Sequence, residues 1–229
     1  MVSVSNGISG RIHSTTSNWR DYMHLKGENE LLAQHNAMLM GHVCATDSVN
    51  DSVITGSLYS YMPAHVVKNS IYNTNNYIVI DKGRLDGVKP DMGVICGQGV
   101  VGKVVNVTSN FASVMSVLNS HSVISCRFAE NPAVVANVVW EGHNYLYGIA
   151  HDIPTHHIIQ KGDTLVTSGF SNAFPPDIMV GTIECSNNDG NDVFNSAKLK
   201  FTTEFSNLRH VYVVINNFQT EMDSLCTQN

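Results

Sequence analysis

Apolar residues recur at every second position along most of this chain, and at every third and fourth position in one early stretch. From residue 54 onward the period is two. In "VISCRF", Ile124, Cys126 and Phe128 alternate with Ser125 and Arg127. In "AKLKFTTEF", Leu199, Phe201, Thr203 and Phe205 face one way, and Lys198, Lys200, Thr202 and Glu204 the other. "VVANVVW" places Val134, Ala136, Val138 and Trp140 on a single face. Further runs are "YIVID", "GVVGKVVNV", "SVMSVL", "TLVTS", "MVGTIE" and "HVYVVI". Side chains on a strand alternate between its two faces, so each run predicts a half-buried β-strand. Turn signals separate them, among them Asp81-Lys82-Gly83, Asp86-Gly87, Gly97-Gln98-Gly99, Glu130-Asn131-Pro132, Gly162-Asp163 and Asn188-Asp189-Gly190. Short strands without crossover helices predict small barrels or sandwiches, and the length of this region favours two such units.

The early stretch, "YMHLKGENELLAQHNAMLM", has a different rhythm. With heptad position a at Tyr22, Asn29, Asn36 and Val43, and d at Leu25, Leu32 and Leu39, the steps alternate between three and four. That is the seam of a coiled coil, and leucine at d favours two parallel strands. Asparagine at a lowers stability, yet in a parallel dimer each amide meets its own copy and fixes register. The competing reading is an amphipathic helix packed on its own domain, with Leu31 and Met38 widening its apolar face. Gly27 and Gly41 each weaken the helix by about 1 kcal/mol relative to alanine, so the zipper alone is marginal.

The expected fold is therefore mainly β, an N-terminal coiled-coil helix followed by two small β units, which the family resemblance given below implies are β-barrel domains. Residues 1–45 form the dimerisation segment, 46–125 the first barrel, 126–217 the second and 218–229 a C-terminal tail. The first boundary between barrels is approximate, because strands can be exchanged between them.

Composition narrows the function classes. Of 229 residues 43% are hydrophobic and only 14% charged, below the roughly 25% of an average globular domain. A net charge of −6, without a basic run, argues against nucleic acid as a partner. The five cysteines, Cys44, Cys96, Cys126, Cys185 and Cys226, form no CxxC pair and read as small buried apolar residues. No segment reaches the roughly 18 apolar residues of a membrane span, and the start "MVSVSNGISG" lacks the features of a signal peptide.

Two long motifs carry a family resemblance. "NNYIVIDKGRLDGVKPDMGVICGQGVVGKV" combines an aspartate-glycine turn with glycines at strand entries. "KGDTLVTSGFSNAFPPDIMVGTI" combines a GD turn, a strand ending in TSG, and a phenylalanine before two prolines. Together with the Leu/Asn helix they resemble MreC, the family of bacterial rod-shape-determining proteins, over about residues 8–216. The resemblance implies a non-enzymatic scaffold of the cell-elongation machinery, which makes peptidoglycan. It implies a place on the periplasmic side of the inner membrane, with one N-terminal membrane helix outside this sequence. The implied partners are a second copy, the elongation-specific penicillin-binding transpeptidase, MreD and RodA. MreB would be reached only through a cytoplasmic tail that is also outside this sequence. No cofactor is implied. Phe174, Pro175 and Pro176 in "AFPPD" are the candidate partner-binding residues, since rigid prolines preorganise an apolar loop. The alternative for Phe174 is to plug a barrel end.

Other constellations point weakly to chemistry. His143, His151, Asp152, His156 and His157 invite a zinc site, but adjacent histidines on a strand face opposite ways. Ser168 in "VTSGF" suggests a two-barrel hydrolase, without the run of residues that builds an oxyanion hole. "NNDGND" lacks the register of a calcium loop, and "GQGVVG" matches a dinucleotide motif with no helix after it.

Overall fold

The computed structural model describes residues 27, 29–40, 58–187 and 194–218. A helix, α1, covers residues 29–40. Twelve strands follow among the described residues: β1 (Tyr59–Asn69), β2 (Asn75–Ile80), β3 (Gly93–Cys96), β4 (Gly99–Val107), β5 (Ala112–Asn119), β6 (Val123–Phe128), β7 (Val135–Val139), β8 (Tyr147–Pro154), β9 (Thr164–Thr167), β10 (Met179–Asn187), β11 (Phe194–Phe201) and β12 (His210–Asn216). They close into two six-stranded barrels, ordered β1-β12-β3-β4-β5-β2 and β10-β11-β8-β7-β6-β9. Closure leaves neither sheet with an unpaired edge strand, the feature that otherwise invites aggregation.

The period-two reading holds residue by residue at the first three runs quoted, whereas "TLVTS" and "HVYVVI" are each buried at four successive positions. Ile124, Cys126 and Phe128 are buried, as are Val134, Ala136, Val138 and Trp140. Leu199, Phe201, Thr203 and Phe205 are all buried too, although β11 ends at Phe201. The last two leave the barrel they follow and sit at the junction. Thr203 Oγ1 donates to the Val100 carbonyl at 2.9 Å, and Phe205 packs edge-on against Phe201 with ring centres 5.8 Å apart. Asn69 Nδ2 donates to the Phe205 carbonyl at 2.7 Å, and Glu204 N–H to Gln98 Oε1 at 2.9 Å. The connection from second barrel to first is thus tied down on both sides.

This return corrects the expected domain limits. The first barrel is not the continuous segment 46–125, because β12 closes it between β1 and β3. Nor does the second begin at 126, since β6 starts at Val123 and pairs only with β7 and β9. A barrel must close on itself, and β1 finds its partner in a strand some 150 residues downstream (Tyr59 pairs with Asn216). Alternation along a strand says which face is buried but not which strand lies beside it.

The two barrels share a core. One cluster fills the first barrel alone, with Ile78, Ile80, Val94, Val101, Val104 and Val114 at its centre. The other runs unbroken from Ile95, Val100 and Tyr212 of the first barrel through Phe174 and Phe205 into the second. Two glycines make this approach possible. A Cβ on Gly93 would overlap the Ala173 carbonyl oxygen and lie 2.7 Å from the Phe174 ring. A Cβ on Gly99 would overlap the Met179 carbonyl oxygen and lie 2.8 Å from Thr202 Oγ1. Any side chain at either position wedges the barrels apart.

Gly93→Val should therefore lower the urea midpoint by an amount equivalent to at least about 1–3 kcal/mol, the usual cost of overpacking. Phe174→Ala, which leaves a cavity at the same contact, should cost about 3–5 kcal/mol. Equilibrium unfolding followed by circular dichroism checks both, and near-wild-type midpoints would show that the junction is not a packed core.

Candidate interaction surfaces

α1 divides its residues between two unlike faces. Ala33, Ala37 and Met40, spaced four and three apart, turn toward the first barrel. Ala37 is buried, Met40 packs against the shared core, and Ala33 lines the cleft opposite Pro63 and Ala64. Small side chains here let the helix lie close to the sheet. The large apolar residues point elsewhere: Leu32 is 58% exposed and Leu39 61%, with Asn29 and Asn36 exposed beside them. Leu31 and Met38 are also exposed, so they do not widen the face that meets the protein's own domain, as the single-domain reading of this helix requires. Tyr22, Leu25 and Val43 of the expected seam lie outside the described residues.

Between α1 and the first barrel lies a cleft of about 250 Å³ lined by Glu30, Gln34, His65, Asp81, Lys82 and His210, among others. His65 is held from two sides: its backbone N–H donates to Asp81 Oδ1 at 2.7 Å, and its Nδ1 lies 3.1 Å from Asp81 Oδ2. Its ring meets that of His210 edge-on at 4.9 Å. Burial, then the neighbouring His65 and Arg209, push the His210 pKa below its ordinary value, against a smaller opposing pull from Asp81.

In the proline loop, Phe174 is only 4% exposed and Pro175 is buried, which leaves Pro176 alone of the three at the surface. The loop is strongly held. Thr167 Oγ1 donates to the Pro175 carbonyl at 2.6 Å and accepts from Ile178 N–H at 2.9 Å. Arg127 Nη2 reaches both carboxylate oxygens of Asp177, at 2.6 and 2.7 Å, while Asp177 adopts a φ of 68°. Phe174 therefore acts as the plug of the barrel junction and not as an exposed anchor, a correction to the partner-binding reading of that residue. The exposed aromatic of the motif is Phe170, 78% accessible, one residue after Gly169, whose backbone packs against Pro176. The TSG turn ahead of it was the available signal. Gly169 has a φ of 78°, a left-handed conformation that turns the chain after β9.

Comparison with known proteins places this architecture. The model of the family "Rod shape-determining protein MreC, barrel core" matches residues 66–215. The chain belongs to the MreC family. The cell shape-determining protein MreC of Listeria monocytogenes is 30% identical over 219 residues, which is 92% of this chain and 73% of that protein. The solved structure of MreC from Listeria monocytogenes superposes with a TM-score of 0.63 at 25% identity, covering 93% of this chain and 96% of that one. A complex between a penicillin-binding protein and MreC from Helicobacter pylori matches at a TM-score of 0.55, with 69% of this chain and 99% of that chain covered. At 17% identity that likeness concerns the fold. Mainly β, with two barrels after a helix, is thus the fold of the family and of this member.

The residues that suggested catalysis are scattered in this MreC chain. His157 packs its ring edge-on against Phe128 at 4.4 Å, His156 is exposed, and Asp152 accepts from Asn137 Nδ2 at 2.8 Å. Among the described residues no group of three or more His, Cys, Asp or Glu is arranged to hold a metal ion. Ser168 is buried and its Oγ donates to Ser125 Oγ at 2.9 Å. "GQGVVG" is the hairpin between β3 and β4, and most of "NNDGND" lies outside the described residues.

The lowered pKa of His210 makes stability pH-dependent in a defined direction. As pH falls through 6.5, its ordinary value, the unfolded chain takes up a proton that the folded chain resists, so stability is lost. The loss continues down to the depressed folded pKa and then stops. His210→Gln should flatten this slope below about pH 6.5. Thermal unfolding at several pH values checks it, and an unchanged slope would assign the acid sensitivity to other groups.

Proposed function

We propose that this chain is a non-enzymatic scaffold of the peptidoglycan-synthesising elongation machinery, which maintains cell shape by pairing with itself and holding cell-wall synthases. The observation that carries the reading is the two-faced helix. α1 spends its alanine face on its own barrel and keeps Leu32, Leu39, Asn29 and Asn36 in solvent. Contiguous large apolar residues on a monomer's surface mark an interaction site. Their heptad spacing suits a second copy of the same helix, with the asparagines meeting across the seam.

Family membership supports the wider role. A relative's solved complex joins MreC to a penicillin-binding protein, so the elongation-specific transpeptidase is the first partner to expect here. MreD, RodA and further copies are the others. The setting proposed is the periplasmic side of the inner membrane, with anchoring by a single membrane helix. Among the described residues no helix is long and apolar enough to cross a membrane. Tethering would supply the local concentration that a short zipper needs, commonly in the millimolar range for closely linked modules. Pro176 and Phe170, both exposed in the loop after β9, supply apolar contacts for such a partner.

Replacing Leu32 and Leu39 together with glutamate should convert a dimer to a monomer while leaving barrel stability within about 0.5 kcal/mol, as expected for exposed positions. Replacing Asn29 and Asn36 with leucine should instead tighten association and blur oligomer number. Sedimentation equilibrium reads both. Binding to the purified transpeptidase of the same bacterium, measured by surface plasmon resonance with the wild type and the glutamate variant, tests the scaffold role. A clean dimer after the glutamate changes, or no binding by either protein, would count against it.

A further inference from the structure

The strand pair that closes the first barrel also carries two histidines. In the register of β1 with β12, His65 lies directly opposite His210. Side chains at directly opposed positions of an antiparallel pair share one face, with Cβ atoms about 4.5–5.5 Å apart. The two rings meet accordingly, with centres 4.9 Å apart and planes at 64°. Both line the cleft beneath α1 and both reach water: the His65 side chain is 42% accessible, and His210 is exposed.

The neighbours of these rings decide which nitrogens are free. Asp81 Oδ2 lies 3.1 Å from His65 Nδ1, and Asp81 Oδ1 accepts from the His65 backbone N–H at 2.7 Å. An ionised carboxylate only accepts hydrogen bonds, so Nδ1 carries the proton and the lone pair of the neutral ring sits on Nε2. A histidine tied back to a carboxylate through one nitrogen is the arrangement that orients metal-binding imidazoles and raises their basicity. Among the described residues, neither His65 Nε2 nor either ring nitrogen of His210 has a hydrogen-bond partner. The charges nearby are balanced. Asp81 and Glu30 line the cleft together with Lys82, whose ammonium is engaged by Asp86 at 3.2 Å. Arg209, beside His210, donates from Nε to Asn207 Oδ1 at 3.4 Å.

The spacing of the rings suits a shared ion. Zinc binds imidazole nitrogen at about 2.0–2.1 Å, which puts the ion about 3.2 Å from the ring centre. Ring centres 4.9 Å apart then subtend about 100° at the ion, near the tetrahedral angle.

We propose that His65 Nε2 and one ring nitrogen of His210 chelate a divalent late first-row metal ion, zinc in the first instance, across the β1–β12 seam. Asp81 orients His65, and water completes the coordination. With two protein ligands in place of the four of a closed structural site, the ion binds reversibly and stays open to the cleft. Because the chelate joins strands from opposite ends of the barrel region, bound metal stabilises the closed first barrel by mass action. The inference does not rest on the scaffold reading and would survive its failure.

Zinc titration of the full chain tests it, with Cys44, Cys185 and Cys226 changed to alanine so that these thiols do not compete for the ion. Calorimetry should give one zinc per chain, and long-range ¹H–¹⁵N spectra of the imidazoles should show His65 and His210 shifting together, ahead of every other histidine. His65→Ala and His210→Ala should each abolish this binding, and Asp81→Asn should weaken it by about 10–100-fold. His151→Ala combined with His156→Ala should leave it unchanged. Zinc should also raise the thermal midpoint of the parent chain, and EDTA should reverse the rise. The spectra identify the ligands with the seam intact, so the outcome does not depend on how well the histidine variants fold. Absence of zinc binding, unchanged affinity in either histidine variant, or first shifts at other histidines overturns the proposal.

Discussion

The contact between Gly93 and the Ala173–Phe174 backbone and ring is what the rest of the molecule depends on. Each barrel is small, with six strands and a limited core of its own. Packing one against the other through a glycine-lined approach merges the second barrel with the near end of the first into one core. The proline loop is the other half of this device. Thr167 and the Arg127–Asp177 pair hold it in place, so that Phe174 arrives at the junction in a fixed position. The Asp177 side of that pair is largely exposed and the pair adds little energy by itself, but Arg127 Nη2 within reach of both carboxylate oxygens helps fix the loop.

The packed pair of barrels leaves two apolar surfaces exposed. The helix lies across the first barrel on alanines and turns its leucines outward. The second barrel turns Phe170 and Pro176 outward from a loop whose interior is already committed to the junction. The polar cleft under the helix adds a sensitivity to acid, because His210 is kept from its proton by burial and by its neighbours.

Several elements were legible before any coordinates. Alternation identified the buried face of β6, β7 and β11 residue by residue, because a strand's two faces are set by local geometry alone. Glycine and aspartate turns marked the strand ends for the same reason, and the heptad spacing marked a helix. Family motifs gave the two barrels. The candidate partner loop was half legible: its rigidity follows from adjacent prolines, but the direction in which Phe174 points does not.

What the sequence determined by itself was thus local, namely which segments are strands, where they turn, and which face of each is apolar. Only the tertiary structure decided the rest. β12 closes the first barrel after the chain has built the second, Thr203 and Phe205 leave their strand to fill the junction, and Phe174 is buried where a surface anchor was expected. The physical reason is common to all three. Alternation and turn chemistry act over a few residues, whereas barrel closure and barrel docking pair segments up to about 150 positions apart, such as Tyr59 with Asn216. Which distant surfaces meet depends on complementary shape, here a missing Cβ facing an aromatic ring, and no short stretch of sequence contains both halves of that fit.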